Sequence, residues 1–493
     1  MMFSRWLALC GMLCWVAAGQ AASLYLPVGD GRLRSDLQLL IDGGVLDLAV
    51  LAWPLPRSDV ERALAAAQPS EDSPYGEVLA RVRAAVTGNA SSRGARLTGG
   101  HPGLLRDFET AGREDGNLSL WASVGAERWS ATGVLSGVTD PDPGEDDHHP
   151  VRLDGSELTW RAGNWLLGPN LMDRWWGPGQ QSSLILSNNA RPIPALLLDR
   201  ATSVPFRMRG LRWIGPWRFT AMLGRAEGSR QDVGHPYVMG MRLELRPRPW
   251  LEFAAQRTAI FCGEGRACGA SVFWKMLLGH DNRGINTDGE TEPGNGLAGF
   301  DLRVKLPGPL PLALYTQMIG EDVHDYMPVK YLGLFGAELG GLSDRGAAWR
   351  AHIEYSDTTC SFWRHTHGDP PPKFGCAYNS GVYPIDGYRY YRQSIGHSTD
   401  NDSRLWNLGW RYAPAAGGEW TLKALKGDLN RGGNVLNRLA TVPTQYRALQ
   451  LGWRADLGHA GTLGLQLGAQ RLQPRGEARH TSAFGFLDWQ RPL

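Results

Sequence analysis

Two stretches of this 493-residue sequence combine aromatic, amide and guanidinium side chains densely enough to bind something. The first runs from Arg174-Trp175-Trp176 through Asn188-Asn189 to Arg191. The second is Tyr388-Arg389-Tyr390-Tyr391-Arg392, followed by His397, Asp400, Asn401 and Asp402. Flat rings suit the faces of sugar rings, and amides and hydroxyls match sugar hydroxyls. Guanidinium groups add bidentate pairing to carboxylates, and only six of the 51 basic residues are Lys. The combination fits an acidic polysaccharide. A purely structural reading stands beside it. Gly177-Pro178-Gly179 reads equally well as a bend and Asn188-Asn189 as a turn that holds lumen geometry. The tyrosine run reads as an interfacial belt, and the arginines as partners of acidic neighbours. We place the tyrosine run in an external loop that returns into a strand.

Other chemistry is poorly supported. The chain lacks G-x-S-x-G, H-E-x-x-H and a phosphate-binding glycine loop, and a pair of catalytic carboxylates is not legible without distances. Asp400, Asn401 and Asp402 supply hard oxygens for calcium but do not have EF-hand spacing. No catalytic residue, metal or cofactor is therefore assigned, and the expectation is a protein that is not an enzyme. Four cysteines lie beyond the N-terminal segment: Cys262, Cys268, Cys360 and Cys376. Their proximity favours Cys262–Cys268 and Cys360–Cys376 disulfides. A zinc site using His365 and His367 is the rival, although its spacing is wrong for two-residue knuckles.

The elements that must carry these residues follow from composition and periodicity. Residues 1–22 read as a secretory signal, with Arg5 before an apolar run from Trp6 to Ala18 and small residues near Ala21; Cys10 and Cys14 leave with it. Beyond it, no run approaches the roughly 20 apolar residues of a spanning helix. With 51 basic against 49 acidic residues there is no basic excess for nucleic acid, and 10% aromatics argue against disorder. The 63 Gly and 20 Trp suit a closed β structure. Residues 23–96 read as a helical bundle and linker. Leu33, Leu37, Leu40 and Ile41 share a helix face that stops at Gly43-Gly44. Ser58 and Glu61 form a capping box, and Ser73-Pro74 opens a third helix bearing Tyr75, Val78, Leu79, Val82 and Val86. Asn89 to Gly100 reads as a linker. From residue 97 the period becomes two, as in Leu118 to Ala126, Met239 to Leu245, Leu302 to Leu306, Trp406 to Tyr412, Leu449 to Ala455 and Leu463 to Ala469. Such strands fit a soluble sandwich or a membrane barrel. The length of 97–493 leaves room for about 16 to 18 spanning strands, separated by polar connections at Thr139 to Pro150, Gly279 to Gly296 and Arg364 to Gly375.

Residues 174–194, from Arg174-Trp175-Trp176-Gly177-Pro178-Gly179 to Ala190-Arg191-Pro192-Ile193-Pro194, resemble the signature of the Wzi-type capsule assembly proteins. A second matching stretch runs from Cys376-Ala377-Tyr378-Asn379 through Gly387-Tyr388-Arg389-Tyr390-Tyr391 to Gly396-His397-Ser398-Thr399-Asp400-Asn401-Asp402-Ser403, and the likeness extends to Trp53-Pro54. The resemblance implies an all-β fold with a small α part: an outer-membrane antiparallel β-barrel of eighteen strands with a helical bundle at its periplasmic end. It also implies a lectin that anchors capsular polysaccharide or exopolysaccharide at the surface of a Gram-negative cell. Its partners are that polymer, outer-membrane lipid and the polysaccharide export machinery. The chain departs from outer-membrane barrels in ending Arg491-Pro492-Leu493, where an aromatic residue is usual. A porin, or a barrel hydrolase acting on polysaccharide, are the alternatives.

Overall fold

A computed structural model describes residues 23–68, 73–88, 93–109, 112–139, 149–278, 294–308, 311–324, 327–343, 346–360, 362, 373–415 and 417–493. The expected signal, His365, His367 and most of the polar connections at 139–150, 279–296 and 364–375 lie outside the described residues.

Eighteen antiparallel strands close into one barrel. In chain order they are β1 (Arg93–His101), β2 (Gly116–Ala126), β3 (Trp129–Thr139), β4 in two pieces (Val151–Arg152 and Glu157–Ala162), β5 (Trp165–Asn170), β6 (Ala195–Arg200), β7 (Trp217–Arg225), β8 (Tyr237–Arg248) and β9 (Leu251–Phe261). They continue as β10 (Gly294–Lys305), β11 (Leu312–His324), β12 (Met327–Leu342), β13 (Ala348–Asp357), β14 (Arg404–Ala413), β15 (Glu419–Leu429), β16 (Thr444–Asp456), β17 (Thr462–Pro474) and β18 (His480–Pro492). β18 pairs with β1 from Gly485↔His101 to Pro492↔Gly94, so no edge is left open. Closure satisfies every ladder within the sheet, which a strand wall in hydrocarbon requires. β1 begins at Arg93 and so occupies most of the stretch expected to be a linker.

The alternation resolves against the sandwich because its apolar side is the exposed one. Leu118, Leu135, Leu196, Leu408 and Leu449 are each more than half exposed, whereas Arg242, Glu244, Asp301, Arg303, Gln317 and Glu354 are buried inward. A soluble protein would have these faces reversed. An apolar outside around a polar inside fits lipid as the outer solvent. Trp129, Trp160, Trp165, Trp250, Trp410 and Trp420 are exposed near the ends closed by short turns, where they form an interfacial girdle.

The N-terminal helices enter the barrel from that short-turn end. α1 (Gly31–Asp42) starts at Asp30, whose carboxylate accepts from Leu33 N at 2.9 Å, and ends at Gly43. Its apolar face packs with α2 (Arg57–Ala66) and α3 (Gly76–Gly88) around Val60, Ala63, Val78, Leu79, Val82 and Val86. Its polar face is buried as well. Asp42 meets Arg303 of β10 at 2.7 Å, and that guanidinium also pairs with Glu252 and Glu338. The capping box at Ser58 is not formed: α2 starts at Arg57, and Ser58 Oγ donates to Ala201 O at 2.7 Å. Barrel contact has taken the hydroxyl that the local sequence reserved for a cap.

Candidate functional site

The two aromatic–arginine stretches sit on long connections at the opposite end from the short turns: 171–194 between β5 and β6, and 358–403 between β13 and β14. Among the described residues, neither projects outward as a free loop. Both fold into the lumen, where Leu184, Ile185, Tyr378, Tyr388 and Ile395 pack against Leu197, Met222, Ile260, Leu297 and Ile319 of the wall. The stretches meet each other along a shared seam. Ser187 N donates to Ile395 O at 2.9 Å and Ser187 Oγ to Gly396 O at 2.5 Å. Asn189 Nδ2 donates to Ser394 O at 3.0 Å, Tyr378 OH to Leu184 O at 2.5 Å, and Tyr388 OH to Ile185 O at 2.9 Å. The result is a plug.

Most of the candidate residues form the interior of this plug. Trp175 and Trp176 are buried, pairing through their backbone with Trp53 and Ala52. Phe108 packs edge-on against both Trp53 and Trp175, with the Arg34 guanidinium 4.5 Å above its ring. Arg174 donates to Asn170 Oδ1 and Ile193 O, and Asn188 to Asp107 O and Phe108 O. Arg389 is 0% exposed. It holds Asp400 through two contacts at 2.7 and 3.2 Å and also donates to Tyr378 O, Asp386 O, Asn379 and Asn401. Asp402 accepts from Gly375 N and Asn401 Nδ2, so both carboxylates proposed as calcium oxygens already face protein donors. Burial pushes Asp402 up to about 6. His397 is enclosed, with Nδ1 2.8 Å from Thr399 Oγ1, and burial pushes it down to about 3. It is therefore neutral and sealed away from any reactant. Tyr388–Arg392 does lie on the outer connection that returns into β14, but the run is folded into the mouth instead of projecting from it. Arg389–Tyr390 pairs with Gln393–Ser394 as a small hairpin inside the mouth, because its rings find the lumen core before they find solvent.

Around the plug at the loop end, Arg113, Asp154, Arg191, Tyr391 and Arg438 are partly exposed, while Glu114, Arg152, Glu227 and Asp386 beside them are buried. Arg191 forks onto Asp154 at 2.8 and 2.9 Å, and its guanidinium lies 5.4 Å from the centre of the half-buried Tyr391 ring. Tyr390 packs edge-on against Tyr391. Arg113 reaches Asp173 at 2.8 Å together with two plug carbonyls, and Arg152 pairs with Glu114. Arg438 stands near Arg389 and Arg392 opposite Asp386 at 3.6 Å; burial and the two neighbouring cations lower its pKa. Glu227 accepts from Tyr391 N at 2.9 Å, and burial pushes its carboxyl up to about 7 against the pull of Arg230. Arg113, Asp154, Glu227 and Arg438 gave no signal in the sequence. They come from three separate connections and the break within β4, and share no motif.

The cysteines pair as Cys262–Cys268 and Cys360–Cys376. The second bond ties the end of β13 to the plug, and it engages the sulfurs that a zinc site would need.

The model of the capsule assembly protein Wzi family matches residues 87–477. The chain belongs to that family. A Klebsiella pneumoniae relative, described as an uncharacterised 55.8 kDa protein in the cps region, is 29% identical over 454 residues, covering 91% of this chain and 86% of the relative. A solved structure of Wzi from Escherichia coli superposes with a TM-score of 0.82 at 24% identity, covering 95% of this chain and 99% of that one. That protein is described as an outer-membrane protein involved in group 1 capsule assembly and as a carbohydrate-binding β-barrel. The shared barrel, with its apolar outer face, makes this family member an outer-membrane protein.

Proposed function

We propose that this barrel binds capsular polysaccharide or exopolysaccharide at its extracellular mouth and anchors it to the cell surface, without chemistry on the polymer. The observation that carries the reading is the plug. A lumen filled from one side by α1 and from the other by 171–194 and 373–403 suits holding a ligand at the surface better than conducting solutes. Arg113, Arg191 and Tyr391 around the plug supply a planar ring and partly exposed guanidinium groups, the combination that suits an acidic sugar. Family membership supports the same assignment. Within it, the partners are the polymer, the outer-membrane lipid and the export machinery that delivers the polymer.

The test is the partition of polysaccharide in a deletion strain between cells and medium. Unchanged total polymer that moves to the medium is the expected result, and an unchanged partition overturns the anchoring role. Incubating purified protein with the polymer addresses the hydrolase: chain length stays constant if the protein only binds. Steady single-channel conductance through the intact protein in planar bilayers would favour the porin.

A further inference from the structure

One helix stands at the loop end but outside the mouth. α4 (Ala270–Leu278) has the sequence Ala-Ser-Val-Phe-Trp-Lys-Met-Leu-Leu, apolar apart from Ser271 and one cation. It follows β9 just beyond the Cys262–Cys268 disulfide, which fixes the chain leading into it. Val272, Phe273, Met276 and Leu277 pack on Met239 of β8 and on Ala259 and Phe261 of β9. Those strand positions point outward. Met239 shares its face with the exposed Leu243, whereas Arg242 and Glu244 of the same strand, and Gln256 and Thr258 of β9, are buried toward the lumen. The helix thus lies against the outer wall of the barrel at the loop end. Its far side carries Lys275 and Trp274, the latter 56% exposed. Rings run without a break from wall to helix: Tyr237 to Phe261 at 5.8 Å, Phe261 to Phe273 at 6.2 Å, and Phe273 to Trp274 at 5.6 Å.

We propose that α4 is an interfacial helix set in the outer leaflet, with Trp274 at the level of the upper acyl chains and Lys275 reaching the anionic headgroups. The occupant is lipid because the exposed face of α4 continues the lipid-facing wall of β8 and β9. Aromatic rings at the boundary with a basic side chain alongside are what that layer stabilises, and the lysine stem lies along apolar surface while its charge stays wet. The disulfide shortens the free chain before the helix and lowers the entropy lost on docking. Held in this way, α4 sets the height of the barrel and keeps the mouth clear of the headgroups.

The test places an environment-sensitive fluorophore on Trp274→Cys in the full-length protein, reconstituted in vesicles of phosphatidylcholine and phosphatidylglycerol with plain or brominated acyl chains. Val435→Cys, at a position 74% exposed on the connection between β15 and β16, is the control. Brominated chains quench the label at 274 several-fold more than the label at 435, and emission at 274 shifts to the blue. Lys275→Cys gives a second reading on the same face and is quenched less than 274 but more than 435. Emission and quenching at 274 and 275 equal to those at 435 overturn the proposal. Unchanged heat-modifiable migration in the gel confirms that each labelled barrel is folded.

Discussion

Arg389→Ala separates a plug held by its own polar network from one held only by the barrel around it. The side chain is fully buried and makes six hydrogen bonds, two of them to Asp400. Removing it leaves Asp400 buried with the Arg438 backbone N–H, at 2.9 Å, among its remaining donors. Breaking a buried ion pair on one side costs about 3–5 kcal/mol, and the retained amide puts the expected value near about 3. At roughly 1.4 kcal/mol per tenfold, opening of the plug becomes about a hundredfold more frequent. The barrel ladders are untouched, so hydrogen exchange should accelerate across 373–403 while the exchange of β14 to β18 stays as it was. Arg389→Lys keeps the charge but not the fork and should fall between the two. Unchanged protection across 373–403 would refute the network argument, and equal loss in the strands would refute its confinement to the plug.

Four further outcomes are expected. Trp175→Ala empties a fully buried site between bundle and plug and should cost about 3–5 kcal/mol, read as faster proteolytic release of the N-terminal helices from an intact barrel. The raised pKa of Glu227 means that its charged form is disfavoured in the folded mouth. The stability of the mouth therefore falls as pH rises from the ordinary glutamate value of about 4.3 to about 7 and is level outside that window. Exchange at the Tyr391 amide, corrected for intrinsic rate, should follow this trend in the native protein and lose it in Glu227→Gln. Arg191→Ala and Tyr391→Ala should each weaken polysaccharide binding by roughly ten- to a hundredfold if one charged hydrogen-bonded contact is worth about 1.5–3 kcal/mol; normal retention of polymer in both would place the contact elsewhere. Replacing Cys360 and Cys376 by Ser together reopens a loop of sequence separation 16 and should destabilise the plug by about 3 kcal/mol, measured as its exchange protection.

The wall and the class are legible in residue order alone. A period of two over strands such as Trp406 to Tyr412 set each side chain on one face or the other, and chain length bounded the strand number. The two long motifs carried the family. The face of α1 was legible from Leu33, Leu37, Leu40 and Ile41, because a helix face depends only on near neighbours. What those faces meet depends on long-range packing. Period two is the same for a sandwich and a barrel, and only closure of β18 on β1 turned the apolar side outward. Ser58 looked like a cap until Ala201 came within reach. Arg174, Trp176, Tyr388 and Arg389 looked like ligand contacts because ring and guanidinium chemistry is the same toward a sugar as toward a protein interior. Their burial depends on two segments roughly 200 residues apart meeting in one lumen, and the outward cluster of Arg113, Asp154, Arg191 and Tyr391 depends on loops that only barrel closure brings together. Local patterns fix orientation, and long-range contacts fix surroundings; a binding site is made of surroundings.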